Sequence, residues 1–305
     1  MSLGGGYQNI EVIVIDDGST DGTADIVKSL MAQDNRIAMI QQENLGIGVA
    51  RCRAIMESSG EYIAFCDSDD WFENNYLQEH VKHLEKYGAE ISMCRTHISS
   101  VVDPGNSDEV TIKEKANIVK DYLNYDGISV SLWDKVFRRE VLDNDEIRND
   151  FRYSEDLYMN YIACKHANRI VKFNTTKYNW FYNTMSLSRS QFNPLKLECD
   201  FGAWDRIIKD CKMNYPTFEE SARLSSELWI CGTYRLMVTC HYHNREQEKR
   251  IARYIRQDGS KVLKAEKNKN NRAFLRLAYV SFPFARIVWY AKNGCKTMIK
   301  SILQK

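Results

Sequence analysis

Short apolar runs alternate with helical periodicities over the first hundred residues of the chain. Four runs have the length and composition of buried strands: residues 11–15, 37–40, 62–66 and 91–94. The segments between these runs place apolar residues three and four positions apart, which is the spacing of an amphipathic helix. This alternation, with short loops, predicts an α/β fold with a Rossmann-like, mainly parallel sheet, flanking helices and right-handed crossovers.

The pattern changes twice further along the chain. It becomes irregular after about residue 99, and from about residue 195 it is helical. We therefore predict a nucleotide-binding and catalytic domain over residues 7–195 and a helical C-terminal region over 196–305. Residues 1–6, MSLGGG, look like an added leader and are set aside.

Carboxylates cluster where two of the predicted strands end. Asp16 and Asp17 follow the first run, and the turn Asp67-Ser68-Asp69-Asp70 follows the third. In open α/β sheets, ligands bind at the carboxyl ends of the strands. Clustered carboxylates repel one another unless a cation is present, and Mg²⁺ or Mn²⁺ prefers oxygen ligands. The turn alone fits equally well a solvated acidic loop that caps the next helix.

Composition narrows the class of protein only slightly. The 305 residues carry a net charge of +1, which gives no general attraction to nucleic acid. Nine dispersed cysteines without a C-x-x-C pair are typical of reduced thiols in a cytoplasmic protein. The charge is uneven, because residues 261–305 contain 11 Lys and Arg against the single acid Glu266.

Five segments in register resemble family 2 inverting glycosyltransferases of the GT-A fold. The segments are IDDGSTDGT (15–23), ENLGIGVARCRA (43–54), GEYIAFCDSDDWF (60–72), SLWDKVFRREVL (131–142) and YSEDLYMNY (153–161), followed by the tyrosine-rich YNWFYNTMSLSRS (178–190). The resemblance implies transfer of a sugar from a nucleotide-diphosphate sugar to a hydroxyl of a glycan or lipid-linked acceptor. A bacterial surface-polysaccharide or lipid-linked glycan pathway would be the setting.

The resemblance assigns the donor side of the site to a set of carboxylates and arginines and to a metal. Asp17, helped by Asp16, would hydrogen-bond the uracil base of a UDP-sugar; the alternative for both acids is a capping and turn role. Asp69 would ligate Mn²⁺ or Mg²⁺ on the diphosphate, with Asp67 on the donor ribose or the water shell of the metal. Arg51 would contact the donor phosphates or ribose, with a solvated helix residue as the equal alternative, and Arg189 would lie in a loop over the pyrophosphate. Asp70 would add to the local field or, as the favoured role, cap the following helix.

The acceptor side is assigned to the Glu155-Asp156 pair. The resemblance implies that Asp156 is the general base and that Glu155 orients the acceptor or a neighbouring side chain. The alternative is that both acids simply begin an exposed helix. Trp133 and Lys135 fit an acceptor subsite, although a core role for Trp133 is a serious alternative.

Other interpretations remain open at this point. A sugar-phosphate nucleotidyltransferase also uses an α/β sheet and Mg²⁺, and an inactive nucleotide-sugar-binding module would keep the same fold. Members of the family usually begin with a strand that is not found before Tyr7, so we expect one central strand to be missing.

The basic C-terminal segment 270–305 mixes its cations with Leu, Phe, Trp and Ile. Such a composition predicts a peripheral contact with the inner face of the membrane. The alternative is a helix that packs on the domain and keeps its Lys and Arg in solvent.

Overall fold

The structure, a computed structural model, describes residues 7–98, 105–181 and 192–291. Its contacts divide the chain into two compact units, Met1–Asn183 and Thr184–Lys305. The sequence placed the boundary at 195/196, twelve residues further on. In the described part of the chain, no helix is long and apolar enough to cross a bilayer.

The first unit is an α/β domain. Its strands are β1 (Val12–Asp16), β2 (Ile37–Gln41), β3 (Tyr62–Ala64), β4 (Trp71–Phe72), β5 (Ile91–Ile98), β6 (Val110–Glu114), β7 (Lys135–Arg138) and β8 (Arg169–Trp180). Its α-helices are α1 (Thr23–Met31), α2 (Ile47–Glu57), α3 (Tyr76–Tyr87), α4 (Lys115–Leu123) and α5 (Glu155–His166). The four strands predicted in the first hundred residues are β1, β2, β3 and β5.

The larger sheet is mixed, which corrects the expectation of a mainly parallel one. Its strands lie in the order β3-β7-β5-β8-β4, and β6 also pairs with β8. Among the described residues, β5 and β8 are the only strands of this sheet that pair in parallel. Strand β7 runs antiparallel to both of its neighbours, and β4 and β6 run antiparallel to β8. Because β7 lies between β3 and β5, those two strands still point the same way. The α/β class holds; β6, β7 and β8 come from the irregular part of the sequence, whereas the antiparallel β4 directly follows the acidic turn.

The strands β1 and β2 form a separate parallel ladder. Within the described residues, β1 pairs only with β2 and β3 pairs only with β7. Four of the five β1 residues are half-buried, although their apolar sequence is that of a strand covered on both sides. Strands β1 and β3 therefore do not pair with each other, and the β1–β2 ladder is separate from the larger sheet.

Aromatic and aliphatic side chains join α3 to the larger sheet. Tyr76, Leu84, Val136, Phe173 and Tyr178 are almost completely buried in one cluster. Helix α3 ends where the sequence predicts, because Gly88 takes the left-handed conformation that a helix C-cap favours. This cluster adjoins the acidic turn, since Tyr178 contacts both.

The second unit is helical in its described part. Its helices are α6 (Pro194–Asn214), α7 (Glu219–Thr239), α8 (Arg245–Tyr254), α9 (Lys261–Ala265) and α10 (Lys269–Val280), with a further helical stretch over 282–291. Phe274, Leu275 and Phe282 are buried in the core of this unit. The start of the C-terminal segment is thus a packing element, as the alternative interpretation predicted for its inward face.

Candidate active site

The acidic turn is fixed to the end of β8 by one tyrosine. The Tyr178 hydroxyl donates to Asp70 Oδ2 at 2.7 Å and accepts from the Asp67 backbone N–H at 3.2 Å. The Phe181 N–H donates to the other oxygen of Asp70 at 2.8 Å. Burial raises the pKa of Asp70, although the hydrogen bonds from these two donors act to lower it. Asp70 therefore orders the turn through β8 and is not the cap of α3, whose N-cap position is Asn75.

Arg51 connects the acidic turn to the Glu155-Asp156 segment. Its Nη2 donates to Asp67 Oδ1 at 2.9 Å, and its Nη1 forms an ion pair with Glu155 Oε1. Only 12% of the Arg51 side chain and 8% of the Glu155 side chain are exposed, against 33% for Asp67. Because charge-assisted bonds are strong where water is excluded, this bridge holds the two acidic motifs in one place.

Glu155 and Asp156 begin helix α5 from a strained residue. Ser154 precedes them at φ 60°, in the left-handed region that a residue with a Cβ rarely adopts. Such outliers persist only where the surroundings enforce them, and they concentrate at functional sites. The helix N-terminus also favours the two negative charges in its first turn.

The two acids differ in their surroundings. Burial, and then the neighbouring Asp156 carboxylate, raise the pKa of Glu155 to about 7, although Arg51 opposes the shift. Asp156 is only partly buried, and its Oδ1 accepts from the Leu157 N–H at 2.7 Å. The buried acid is thus the one held by Arg51, and the more accessible acid is the better candidate for contact with a substrate.

Two glycines in the segment ENLGIGVARCRA let it approach the residues that precede α5. A Cβ on Gly48 would lie 2.4 Å from the Phe151 carbonyl oxygen and 2.5 Å from Asn149 Oδ1. A Cβ on Gly46, which has φ +96°, would lie 2.6 Å from Arg152 Cγ. The Gly48 N–H also donates to the Phe151 carbonyl at 3.2 Å. The glycines in ENLGIG are therefore required for close packing of the two motifs.

The first acidic pair organises the neighbouring loop. Asp17 accepts from Gln42 Nε2 and from the N–H groups of Leu45 and Gly46, at 2.8 to 2.9 Å. Although burial raises the pKa of Asp17, these donors outweigh it and lower the pKa below its usual value. Asp16 is buried and accepts from the Ser19 N–H and from Gln41 Nε2. Both acids have structural partners, so their predicted contact with a base stays a prediction.

Asp69 differs from the other members of the turn. It is exposed, and in the part of the chain that the structure describes it has no hydrogen-bond or ion-pair partner. No group of three His, Cys, Asp or Glu side chains converges as a ready metal site among residues 7–98, 105–181 and 192–291. A single accessible carboxylate still fits Mg²⁺, which is held by one or two carboxylates, substrate phosphates and water. The donor set is therefore compatible with a metal that binds together with its nucleotide.

Two of the expected acceptor residues have structural roles. Lys135 is fully buried, and its ammonium donates to Asp134, Ser129 and the Ser131 carbonyl. Trp133 stacks on Tyr178 with ring centroids 4.7 Å apart. The Lys135 assignment to an acceptor subsite is wrong, because a fully buried ammonium cannot contact a substrate. Arg189 lies outside the described residues.

Sequence reasoning missed several residues that shape the site. Tyr178 and Arg152 are the most important, since Tyr178 holds the acidic turn and Arg152 donates to the Asn44 carbonyl and side chain. Trp71 and Phe181 were also missed; both are about half exposed and flank the turn. Trp71 adjoins the acidic turn, and Tyr178 and Phe181 lie in the tyrosine-rich segment 178–190, but neither signal assigned these side chains a role.

Comparison with known proteins finds glycosyltransferases that resemble this chain in sequence. Residues 2–144 match the family described as Glycosyl transferase family 2. Glycosyltransferase GlyA of Streptococcus pneumoniae serotype 4 is 29% identical over 197 residues, which are 60% of this chain and 28% of GlyA. Glycosyltransferase GlyG of the same organism is 27% identical over 219 residues, which are 67% of this chain and 72% of GlyG. The chain thus spans less than a third of GlyA.

The fold also matches a solved structure. The crystal structure of S. aureus TarS 1–349 in complex with UDP-GlcNAc aligns with a TM-score of 0.61. The alignment covers 93% of this chain and 83% of that one, at 18% sequence identity. This likeness establishes the GT-A architecture with its helical C-terminal region.

Proposed function

We propose that the chain is an inverting glycosyltransferase of glycosyl transferase family 2, the family whose model matches residues 2–144. It would move a sugar from a UDP-sugar to a hydroxyl of a glycan or lipid-linked acceptor. The observation that carries the proposal is the Arg51 bridge, which brings the acidic turn beside Glu155 and Asp156. The UDP-GlcNAc complex of TarS supports the choice of donor.

The donor would lie across the three segments IDDGSTDGT, ENLGIGVARCRA and GEYIAFCDSDDWF. A carboxylate has about four lone-pair positions, and Asp17 uses three of them within the protein. One position remains to accept the imide N–H of uracil, which is the ring edge that a carboxylate can pair with. Asp16 would support this contact through the turn, and Arg189 is proposed for the pyrophosphate.

The diphosphate would lie at the acidic turn. Asp69 is our proposed ligand for Mn²⁺ or Mg²⁺, and Asp67 would hold the donor ribose or a water of the metal. A bound divalent ion would neutralise the negative charge that develops on the leaving diphosphate. Tyr178 keeps the turn in place, so that Asp69 stays accessible while its neighbours are engaged.

Asp156 would act as the general base. An inverting displacement needs one carboxylate on the face opposite the leaving group, where it accepts the proton of the attacking hydroxyl. Asp156 has the accessibility for this role, and Glu155 does not, because its carboxylate is buried against Arg51. Glu155 and Arg51 are therefore proposed as positioning residues. Trp71 and Phe181 offer aromatic faces on which a sugar ring could stack.

We place the enzyme in the cytoplasm of a bacterium, in the synthesis of a surface polysaccharide or a lipid-linked glycan. The described cysteines are all free, which is compatible with a reducing compartment. GlyA and GlyG, both bacterial glycosyltransferases, support this setting.

Release of UDP from a panel of UDP-sugars tests the proposal. With Mn²⁺ the wild-type chain should release UDP slowly, and EDTA or Asp69→Ala should remove this activity. Asp156→Asn should remove transfer to an acceptor. Asp25→Ala is the control, because Asp25 is an 86% exposed carboxylate on α1 in the same unit. It should behave as the wild type.

The same samples separate the competing functions. Pyrophosphate release from a nucleoside triphosphate and a sugar phosphate would indicate a nucleotidyltransferase. Failure of both assays, with donor binding retained, would indicate an inactive nucleotide-sugar-binding module. Either result would overturn the proposal.

A further inference from the structure

The last described helices of the second unit have an apolar outer face. Between residues 271 and 291, the exposed residues are Ala273, Arg276, Val280, Pro283, Phe284, Ile287 and Ala291. Their spacing of three and four positions is that of one side of a helix. The exposed fractions are 79% for Val280, 52% for Phe284 and 62% for Ile287. We call these three side chains the apolar stripe.

The apolar stripe is not needed to build the core. The opposite side of the same segment already packs inward through Phe274, Leu275, Ala278, Phe282 and Ala285. A helix on the surface of a protein normally pairs such an inner side with a polar outer side. A contiguous exposed apolar face instead marks a surface that another partner covers.

The charges beside the stripe indicate what that partner is. Lys267, Lys269 and Arg276 are exposed and have no ion-pair partner among the described residues. The sequence beyond them adds Lys292, Lys296, Lys300 and Lys305, while Glu266 is the one acid after position 260. A second copy of this chain would bring cations against cations. An anionic lipid surface, by contrast, attracts the cations and takes up the apolar side chains.

We propose that the apolar stripe and its cations form a membrane-binding surface, which rests in the headgroup region of an anionic bilayer. Val280, Phe284 and Ile287 enter the boundary between headgroups and acyl chains, and Lys267, Lys269 and Arg276 pair with lipid phosphates. The contact is peripheral, because the other side of the same segment stays packed in the core of the second unit. A lipid-linked acceptor would be concentrated at the same surface.

Sedimentation of the full chain with vesicles tests this surface. Vesicles with about one third phosphatidylglycerol should carry down the wild-type chain at low salt, and neutral phosphatidylcholine vesicles or high salt should release it. The variant Phe284→Asp/Ile287→Asp should lose most of the binding. Met213→Asp is the matched control, because Met213 is 64% exposed in the same unit but lies on α6.

The outcomes separate membrane binding from self-association. Both variants should keep the helical circular dichroism and the UDP release of the wild type without vesicles, since only exposed side chains change. Wild-type protein that ignores anionic vesicles, or equal binding by the Phe284→Asp/Ile287→Asp variant, overturns the proposal. A wild-type dimer that the same variant converts to a monomer, without vesicle binding, would show that a second copy covers the stripe.

Discussion

Arg51 joins two carboxylates that are far apart in the sequence. Asp67 lies 16 positions and Glu155 lies 104 positions further along the chain, yet both contact the same guanidinium. The Arg fork can hold two carboxylates at once, and the single ammonium of Lys cannot reproduce this geometry. The donor end and the acceptor end of the proposed site therefore depend on one side chain.

Removing that side chain should damage both stability and activity. We expect Arg51→Ala at pH 8 to lower the free energy of unfolding by about 3–5 kcal/mol, because it leaves Glu155 buried without its counter-charge. Arg148→Ala is the control, since Arg148 is 65% exposed and pairs with the exposed Asp145. Urea unfolding measures both variants. Equal, small losses of unfolding free energy in the two variants would mean that the Arg51 bridge does not stabilise the fold.

Glu155 should make stability depend on pH. Its pKa is raised from 4.5 to about 7 in the folded chain, so ionisation costs folding free energy. This contribution is present in full below pH 4.5 and is lost as the pH rises through 7. The free energy of unfolding of the wild type, relative to Glu155→Gln, should fall by on the order of 1–3 kcal/mol between pH 5 and pH 8. A pH-independent difference would contradict the raised pKa.

Among the elements, the first turn of α2, which contains Gly48, packs closely against the segment that precedes α5. We expect Gly48→Ala to destabilise the chain and to reduce UDP release, because the new Cβ meets backbone and amide oxygens at 2.4 and 2.5 Å. Gly22→Ala is the control, since its Cβ would meet nothing within 4 Å. Thermal unfolding and UDP release should therefore separate the two variants. Indistinguishable variants would show that α2 can move away from residues 149–155.

The elements also show what the sequence could predict. The strands β1, β2, β3 and β5 follow from local apolar runs, and the carboxylates at their ends were found with them. Strand β7 could not be placed, because its position between β3 and β5 depends on pairing with residues that lie far from it in the sequence. The same limit hid Tyr178, whose role depends on contacts 108 and 111 residues distant. Local patterns predict elements, whereas long-range partners decide which side chains meet.

At the scale of the whole molecule, the net charge of +1 is the sum of an acidic surface and a basic surface. The first unit gathers Asp67, Asp69, Glu155 and Asp156 at the proposed site. The second unit carries the exposed cations Lys267, Lys269 and Arg276 near the apolar stripe. Each unit has its own buried core, so a change at the stripe should leave the site intact. The proposed reaction and the proposed membrane contact can therefore be tested independently.

Calorimetric binding of UDP with and without Mn²⁺ tests the central claim, that the acidic turn is a metal-dependent nucleotide site. Wild type and Asp25→Ala should bind UDP at least about tenfold more tightly with Mn²⁺, which corresponds to about 1.4 kcal/mol. In Asp69→Ala this gain should disappear while the fold is retained. Equal UDP affinity of the wild type with Mn²⁺ and with EDTA, or an undiminished gain in Asp69→Ala, would contradict the account.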